Sequence, residues 1–360
     1  MNFITFTEEK LRTFTHAVFV KMGCSDEHAA LATDVLIKSD LRGIDSHGVA
    51  RLNGYVRLWE KKRINSKPNI RIVHETPTTA TIDGDAGLGL VVAPFAMKVA
   101  IEKAEKYGSG WVSVKNSNHF GIAGYHSLLA VEKNMIGISM TNASPLVAPT
   151  YANERLLGTN PMCYGFPAGK YPPVIVDMAT AAAANGKLEI AQRANAAIPD
   201  GWVQDAKGNS SINPNELKNG GSLLPLGSDK DHGSHKGYGL SATVDILSAV
   251  LSGANYGPWV PPFVAFLEPS ANPVGEGLGH FFGAMRVDGF RPAQDFKDHL
   301  DNWIERFKSA KTIDPTKKVI IPGEPEHDSE QQRKISGIPI IDVVVNDLNE
   351  LAAKLEIEEL

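Results

Sequence analysis

Three side chains suited to acid–base and anion-binding chemistry recur every four residues near the start of the chain: His47, Arg51 and Tyr55. On an α-helix, positions i, i+4 and i+8 lie on one face. Ser46 is a residue type that caps helices, and a helix N-terminus favours anions by roughly 0.3–1 kcal/mol. The spacing therefore predicts a helix over residues 47–61 that presents an imidazole and a guanidinium to a small carboxylate. A solvated polar face would show the same spacing, so other motifs have to decide.

A second histidine lies in a polar loop between a strand-like and a helix-like segment. Residues 116–121 read Asn-Ser-Asn-His-Phe-Gly. Loops that follow strands often carry catalytic side chains on a rigid base. We therefore regard His119 as a candidate acid or base. The alternative is a polar loop in which Asn118 caps the following helix.

Three further stretches could bind a phosphate, a ribose or a substrate. Lys236 lies among glycines at the start of a long apolar helix, where free amide groups and a cation favour phosphate. Asp177 ends a buried strand, a common place to bond a ribose hydroxyl. Asn160 lies in a Gly-Thr-Asn-Pro turn and could donate to a substrate. The alternatives are a flexible loop, a helix cap and a brace for the turn, respectively.

Several common motifs are absent from the sequence. Gly84, Gly87 and Gly89 come in the wrong order for the Rossmann fingerprint, and there is no Walker-type loop or serine nucleophile elbow. A metal-dependent hydrolase is the main rival, since His232 and His235 are three residues apart. However, no His-Glu-x-x-His and no cysteine pair at zinc spacing occur, so we expect no metal site.

Bulk properties describe an ordinary globular protein. The 360 residues are 42% hydrophobic and 21% charged, with a net charge of −5, which disfavours a nucleic-acid-binding protein. Cys24 and Cys163 cannot form a disulfide framework, which favours a reducing cytoplasm. No apolar run of membrane-spanning length and no signal-peptide pattern occur, so we expect neither a membrane nor secretion.

The order of helix and strand signals predicts a helical unit followed by a mixed α/β domain. Thr7 and Ser25 are suited to cap two helices that end near Gly23 and Arg42. Residues 198–235 are predicted as loop. The predicted strands are 78–83, 111–115, 136–141, 164–166, 174–177 and 318–321. The predicted further helices are 93–107, 122–133, 181–197, 237–252, 292–309 and 346–360.

Six of these motifs, in this order along the chain, resemble one known family. They are Asp45-Ser46-His47-Gly48 with Arg51 and Tyr55, then 116–121, 158–161, 177–180, 235–240 and 322–324. This pattern resembles the second type of the malate/L-lactate dehydrogenase superfamily, whose members include L-sulfolactate, ureidoglycolate, diketogulonate and piperideine-carboxylate oxidoreductases. The resemblance covers nearly the whole chain.

The resemblance implies a nicotinamide-binding α/β fold that is not a Rossmann fold. Its central sheet is mixed and mostly antiparallel and is flanked by helices, and a helical unit is built from both chain termini. We therefore expect residues 1–75, 237–285 and 326–360 to form the helical and dimerisation unit. Residues 76–236 and 286–325 would form the cofactor-binding domain. A homodimer with active sites near the subunit interface is implied as well.

The resemblance also implies roles for single residues. His47 matches the family's acid/base histidine, with Ser46 as its neighbour, and His119 matches a second histidine that accepts the proton in some members. Which of the two histidines gives the proton stays open; the link to Arg51 favours His47. The residues assigned to substrate binding are Arg51, Tyr55 and Asn160. The residues assigned to cofactor binding are Ser144, Asp177, Met178, Ala179, Lys236, Pro322, Gly323 and Glu324.

Two positions depart from the family pattern. Ala181 stands where relatives often have Ser, and Lys187 stands where some imine-reducing members have an Asp that supports the histidine. The second departure makes imine reduction a weaker expectation than reduction of a keto group.

We therefore expect an oxidoreductase that transfers a hydride between NAD(P)H and a small 2-oxo or 2-hydroxy acid. Malate/oxaloacetate is the first choice, and Arg42 could meet its second carboxylate. Lactate, sulfolactate and ureidoglycolate stay open, as does a non-catalytic carboxylate or nucleotide binder. We expect NAD rather than NADP, although no residue of the sequence decides between the two cofactors. The expected partners are a small carboxylate substrate and a second copy of the chain, with no nucleic acid.

Overall fold

The computed structural model describes residues 2–264 and 267–360, and these residues form twelve strands and ten α-helices. The strands are β1 Phe3–Phe6, β2 Arg71–Glu75, β3 Thr79–Asp83, β4 Ser109–Ser117, β5 Met135–Thr141, β6 Met162–Phe166, β7 Val174–Met178, β8 Val203–Gln204, β9 Ser210–Ser211, β10 Ser222–Leu223, β11 Leu278–Arg286 and β12 Ile338–Ile341. The helices are α1 Glu8–Lys21, α2 Asp26–Leu41, α3 Leu52–Glu60, α4 Gly89–Tyr107, α5 Ala123–Val131, α6 Asn185–Arg193, α7 Ser234–Asp245, α8 Ala293–Lys308, α9 Glu324–Ser336 and α10 Asp342–Leu355.

A mixed sheet of seven described strands forms the centre of the molecule. Its strand order is β2-β3-β4-β11-β5-β6-β7. Only the β3–β4 pair is parallel, and the other neighbours are antiparallel. Helices α4 and α5 pack on the sheet around a core that includes Ala96, Val112 and Phe282. The expected mixed, mostly antiparallel sheet flanked by helices is confirmed.

The two chain termini build one helical unit. Strand β1 pairs with β12 in antiparallel register, with Phe3 opposite Ile341. Leu11 and Leu36 from the N-terminal helices share one hydrophobic core with Leu348 from α10. The predicted caps are present, because Thr7 and Ser25 accept hydrogen bonds from backbone N–H groups three residues on, each at 3.2 Å. This unit confirms the expectation of a helical part drawn from both ends.

A cluster of four charges ties the C-terminal helix α9 to α2. The buried Glu330 carboxylate accepts from Lys38 at 2.7 Å, from Lys334 at 2.8 Å and from Arg42 at 3.3 Å. Hydrogen bonds from the two lysines outweigh burial and lower the pKa of Glu330 to about 2. Glu330 therefore stays ionised at neutral pH, and its carboxylate fixes Arg42, which lies near the site described below.

The largest error of the sequence prediction is the missing strand β11. It lies between β4 and β5, so the part of 237–285 from residue 278 onward belongs to the sheet and not to the helical unit. Its first seven residues are buried, so both faces are covered and no polar–apolar alternation marks a strand. Such an apolar run does not distinguish a strand from a buried helix. Strand β2 likewise falls in the segment 1–75 that was assigned to helices.

Other predicted elements differ in extent. The helix predicted at 181–197 is shorter, covering only α6, and the helix predicted at 237–252 begins at Ser234 and ends in a π-helical turn, Ile246–Val250. Residues 318–321 form no strand, and α9 was not predicted. Three short strands, β8, β9 and β10, pair within the segment predicted as loop. No helix of the described residues is long and apolar enough to span a membrane.

Candidate active site

The segment that carries His47 is not the single helix that its spacing predicts. Asp45–His47 and Val49–Arg51 form two 3₁₀ turns, and α3 begins only at Leu52. Gly48 separates the turns with φ −90° and ψ −144°, which is not a helical conformation. Ser46 makes no cap hydrogen bond; its Oγ lies 2.9 Å from His47 Nδ1. The prediction that His47, Arg51 and Tyr55 share one face of a single helix is therefore wrong. His47 and Arg51 nevertheless lie close to each other.

The bend at Gly48 is held by a carboxylate beneath it. Asp40, on α2, accepts a hydrogen bond from Val49 N–H at 2.8 Å. A Cβ atom on Gly48 would fall well inside van der Waals contact with the Asp40 carboxylate, so only glycine fits there. On the other side of the turn, Arg333 of α9 pairs with Asp45. Contacts from both ends of the chain thus set the orientation of His47.

His119 is held by a hydrogen bond from a buried tyrosine. Tyr55 Oη lies 2.7 Å from His119 Nδ1, and the Gly121 N–H donates to the same nitrogen at 3.3 Å. Because a backbone N–H can only donate, Nδ1 is the unprotonated nitrogen and the proton of the neutral ring lies on Nε2. Burial raises the pKa of Tyr55, which keeps its hydroxyl as the donor. Tyr55 therefore orients a catalytic candidate and has no exposed surface for a substrate.

The loop that carries His119 is fixed by the glycine-rich loop after β3. Asn118 Nδ2 donates to the carbonyl oxygens of Ala86 and Gly87, both at 2.9 Å. Asn118 does not cap α5, since the residue at that position is Ile122. The polar loop is thus anchored to another loop, which favours its reading as a positioned catalytic segment over a cap.

The two histidines face each other. Their ring centroids are 5.6 Å apart with an interplanar angle of 23°. Burial and the nearby Arg51 guanidinium lower the pKa of His47 to about 4. Burial, His47 and Arg51 lower the pKa of His119 well below its ordinary value. Both rings are therefore neutral at pH 7, and each can act as a base or as a neutral donor.

A cleft of about 550 Å³ opens beside His47 and collects most of the predicted cofactor-contacting residues. We call it the histidine cleft. Among its lining residues are Ser46, His47, Asp177, Met178, Ala179, Pro322 and Gly323. With Gly121, Thr159 and Pro161, which also line it, the cleft brings together five of the six sequence motifs.

Other predicted site residues lie elsewhere or act through other groups. Asn160 is 0% exposed, and its amide accepts from Ala143 N–H and donates to the Ser241 carbonyl, both at 3.1 Å. It braces the turn and offers no atom to a substrate. Lys236 is exposed in the first turn of α7 and is not among the residues that line the histidine cleft.

Two predicted cofactor residues have structural partners instead. Glu324 accepts from Ile321 N–H at 3.1 Å and pairs with Lys308, so it stabilises the turn before α9. Ser144 Oγ accepts a hydrogen bond from Phe263 N–H at 3.1 Å. These two side chains are engaged by the protein itself.

Sequence reasoning missed part of the cleft, namely Ala123 and Gly124 at the N-terminus of α5. Arg42 also lines the cleft, whereas the sequence suggested it as a contact for a second substrate carboxylate. The Gly124 N–H donates to Asp177 Oδ2 at 2.6 Å. The small residues that follow His119 were the available signal, because a ligand can approach a helix start closely where side chains are small.

The cleft fits an extended anionic cofactor such as a dinucleotide. Most of its lining residues are apolar, and the N-termini of α5 and α9 both border it. Free amide groups and the helix dipole at such termini favour phosphate groups. Arg42 also lines the cleft, but its guanidinium is bonded to Glu330. The residues present are thus suited to hold such a cofactor beside His47.

A second cavity of about 770 Å³ lies on the outer face of α3. We call it the arginine cavity, because Arg51, Arg57 and Lys61 line it together with Phe263. Arg51 is also tied to the histidine segment, since its Nε donates to the Ser46 carbonyl at 2.5 Å. A guanidinium thus stands between the cavity and the histidine pair, where it can grip a carboxylate.

Comparison with known proteins decides the family. The malate/L-lactate dehydrogenase family profile matches residues 6–349. The chain is 43% identical over 360 residues to malate dehydrogenase of Pyrococcus abyssi, covering all of this chain and 97% of that protein. This chain belongs to the malate/L-lactate dehydrogenase family. It is therefore an oxidoreductase of the hydroxy-acid dehydrogenase class, as the motifs predicted.

Solved structures of the family superpose on the whole chain. Malate dehydrogenase of Pyrococcus horikoshii aligns with a TM-score of 0.90 at 41% identity, covering 100% of this chain and 97% of that one. Sulfolactate dehydrogenase of Methanocaldococcus jannaschii aligns with a TM-score of 0.89 at 36% identity, covering 99% and 98%. The dehydrogenase family thus shares this non-Rossmann architecture.

The rival metal-centre hypothesis finds no matching geometry. Across residues 2–264 and 267–360, no three His, Cys, Asp or Glu side chains converge as metal ligands. His232 pairs with Asp229 at 2.7 Å, whereas His235 lies 3.5 Å from the Lys230 ammonium. The two histidines at zinc-like spacing are therefore engaged separately.

Replacing Gly48 with alanine tests the bend that orients His47. The added methyl group collides with the Asp40 carboxylate, so we expect kcat to fall about 100-fold, as a shift of roughly 1 Å can cause. Overpacking should lower the free energy of unfolding by about 1–3 kcal/mol. Gly289→Ala is the matched control, because no atom lies within 4 Å of its added methyl group and it lines neither cavity. Steady-state kinetics measures kcat, and thermal unfolding measures the change in stability. Equal kcat in the two variants would contradict the role of the bend.

Proposed function

We propose that the protein interconverts malate and oxaloacetate by hydride transfer at C2, with NAD as cofactor. The observation that carries this proposal is the facing pair of neutral histidines, 5.6 Å apart, between the histidine cleft and the Arg51 guanidinium. The nicotinamide supplies or accepts the hydride when bound. The chain itself supplies the proton-transfer group, the carboxylate clamp and the enclosure.

His47 is the residue that we assign to proton transfer. In the direction of oxidation, a neutral imidazole takes the proton of the substrate hydroxyl, and a pKa near 4 keeps it neutral at pH 7. In the direction of reduction, the imidazole must hold a proton to deliver to the oxygen. A carboxylate bound at Arg51 offsets the positive charge that lowers the pKa of His47, which eases that protonation.

His119 is suited to a complementary role. Its proton lies on Nε2, because Nδ1 accepts from Tyr55 and Gly121. A neutral N–H donor can stabilise the negative charge that develops on the carbonyl oxygen without itself transferring a proton. In this assignment His47 transfers the proton and His119 stabilises the charge on the oxygen. The buried Tyr55 then serves to orient His119.

Separate His47→Gln and His119→Gln variants test the assignment. Loss of the proton-transfer group should lower kcat by about 10²–10⁴-fold in His47→Gln. His119→Gln keeps a donor, so we expect a smaller loss. A His47→Gln enzyme that is folded and turns over near the wild-type rate would overturn the assignment.

The pH profile gives a second check on His47. Because the base must be deprotonated, kcat/KM for oxidation of a hydroxy acid should fall as the pH drops through about 4, and not through the ordinary value of 6.5. Arg51→Met removes one cause of the lowered pKa, so the acidic limb should move to higher pH. A limb that stays at the same pH in Arg51→Met would show that another group titrates.

Malate is favoured by the distribution of cations around the site. Arg42 was expected to meet a second carboxylate, but it is 6% exposed and bonded to Glu330. The arginine cavity offers Arg57 and Lys61, neither of which forms an ion pair with any described carboxylate. Glu60, which pairs with Lys354, and Asp347 line the same cavity. A dicarboxylate that uses Arg51 for one end therefore has Arg57 and Lys61 in the same cavity for the other. The relatives from two Pyrococcus species are named malate dehydrogenase.

NAD is favoured over NADP by the carboxylates of the cleft. Asp177 and Glu326 both line it. A carboxylate can accept a hydrogen bond from a ribose hydroxyl but repels a 2′-phosphate. Arg42, which also lines the cleft, is already engaged by Glu330.

A panel of oxaloacetate, pyruvate, sulfopyruvate and oxalurate with NADH and with NADPH tests substrate and cofactor together. We expect the highest kcat/KM for oxaloacetate with NADH, with the reaction monitored as the loss of absorbance at the nicotinamide band.

Arg57→Gln should lower kcat/KM for oxaloacetate about tenfold and leave kcat/KM for pyruvate nearly unchanged, because only oxaloacetate has a second carboxylate. Tight NADH binding with no turnover of any acid would favour a non-catalytic binder.

We also propose that two copies form a homodimer through the surface of α7 and its π-helical turn. Leu240, Ile246, Val250 and Leu251 are exposed along this helix, with Ile246 at 54%. Exposed apolar residues grouped on one helix are typical of subunit interfaces. Sedimentation should give twice the chain mass of 38.8 kDa, and Ile246→Glu with Val250→Glu should give monomers. A monomeric wild type would refute the dimer.

A further inference from the structure

Residues Val260–Val264 pass over the histidine pair, and we call this segment the strap. The Phe263 ring centroid lies 4.7 Å from that of His119 and 5.3 Å from that of Tyr55, with an edge-on angle of 80° to the tyrosine. Phe263 thus contacts both partners of the hydrogen bond that orients His119. No sequence motif pointed to this residue.

Polar contacts fix the strap on two sides. Ser144 Oγ accepts from Phe263 N–H at 3.1 Å. The Arg63 guanidinium donates to the carbonyl oxygen of Pro262 and, at 3.1 Å, to that of Leu267. The main chain on both sides of the phenylalanine is therefore held, which limits where its ring can go.

Helix α3 has a gap that the Phe263 ring fills. A Cβ atom on Gly54 would lie 2.7 Å from Phe263 Cε1, closer than such atoms approach in practice. Glycine weakens a helix interior relative to alanine. The close approach of the ring is a physical reason for a glycine at this position, one turn before Leu58 on the same helix.

We propose that Phe263 is a positioning residue that clamps the His119 ring against Tyr55 and shields it from water. The catalytic consequence rests on the function proposed above, whereas the clamp itself does not. Phe263 also lines the arginine cavity, so its ring separates that cavity from the His119 side of the site. Ser144 and Arg63 act through the strap, which gives Ser144 a role without direct contact to a cofactor.

Removal of the clamp should change the titration of His119 in a defined direction. The charged or titratable groups that face His119 are His47, Arg51, His280 and Tyr55. Burial is the largest cause of the lowered pKa, and the three basic groups lower it further. Exposing one face of the ring to water removes part of the burial and leaves those groups in place. The pKa therefore rises toward 6.5.

Two substitutions displace the ring by independent routes. Phe263→Leu shortens the side chain from the strap, and Gly54→Ala pushes the ring away from α3. The alanine favours the helix, so this variant keeps the test available if the first one is poorly folded. Phe290→Leu is the control, because Phe290 is 78% exposed.

The measurement is the imidazole titration of His119 by NMR in the enzyme without substrate, with the resonance assigned by its loss in His119→Gln. We expect the His119 pKa to rise by about one unit or more in both variants and not in the control. We also expect kcat to fall about tenfold with KM for NADH nearly unchanged. Unchanged titration in both variants would overturn the clamp. A shifted titration in a protein whose wild type reduces no 2-oxo acid would refute the proposed function but keep the clamp.

Discussion

The hydrogen bond from Val49 N–H to the Asp40 carboxylate is the contact on which the site depends. Asp40 is almost fully buried, its Oδ1 finds no partner among the described residues, and burial raises its pKa well above the ordinary value. A buried polar atom without a partner costs about 1–3 kcal/mol. The structure tolerates this cost at the place where Gly48 bends the chain, and the bend turns His47 toward one cavity and Arg51 toward the other.

The bend separates the side chains of His47 and Arg51, so that they line different cavities. A straight helix would place imidazole and guanidinium side by side on one surface. The bend instead puts the His47 imidazole at the wall of the histidine cleft and the Arg51 guanidinium at the wall of the arginine cavity. His119 stacks on His47 and is oriented by Tyr55 from the core of the helical unit. Under the proposed function, cofactor and substrate thus have separate cavities beside the histidine pair.

Sequence patterns predicted the elements whose signals are local. The caps at Thr7 and Ser25, strand β4 before the His119 loop, and the grouping of His47, His119 and the 177–179 segment follow from short-range patterns or from the family resemblance. Elements that depend on distant partners were missed. Strand β11 is buried on both faces and so has no alternation, and β1 exists because β12 pairs with it from the other end of the chain. Phe263 reaches His119 through tertiary packing alone, which leaves no trace in residue spacing.

The join between the two chain ends has a consequence for when activity can arise during synthesis. Arg333, Glu330 and Gly323 all come from the last 40 or so residues, yet they fix the His47 turn, hold Arg42 and close one wall of the cleft. A nascent polypeptide that has released only its first 300 residues from the ribosome carries both imidazoles but lacks the groups that set them in place. The groups that orient the histidines are therefore complete only after these late segments have been made and have folded onto the helical unit.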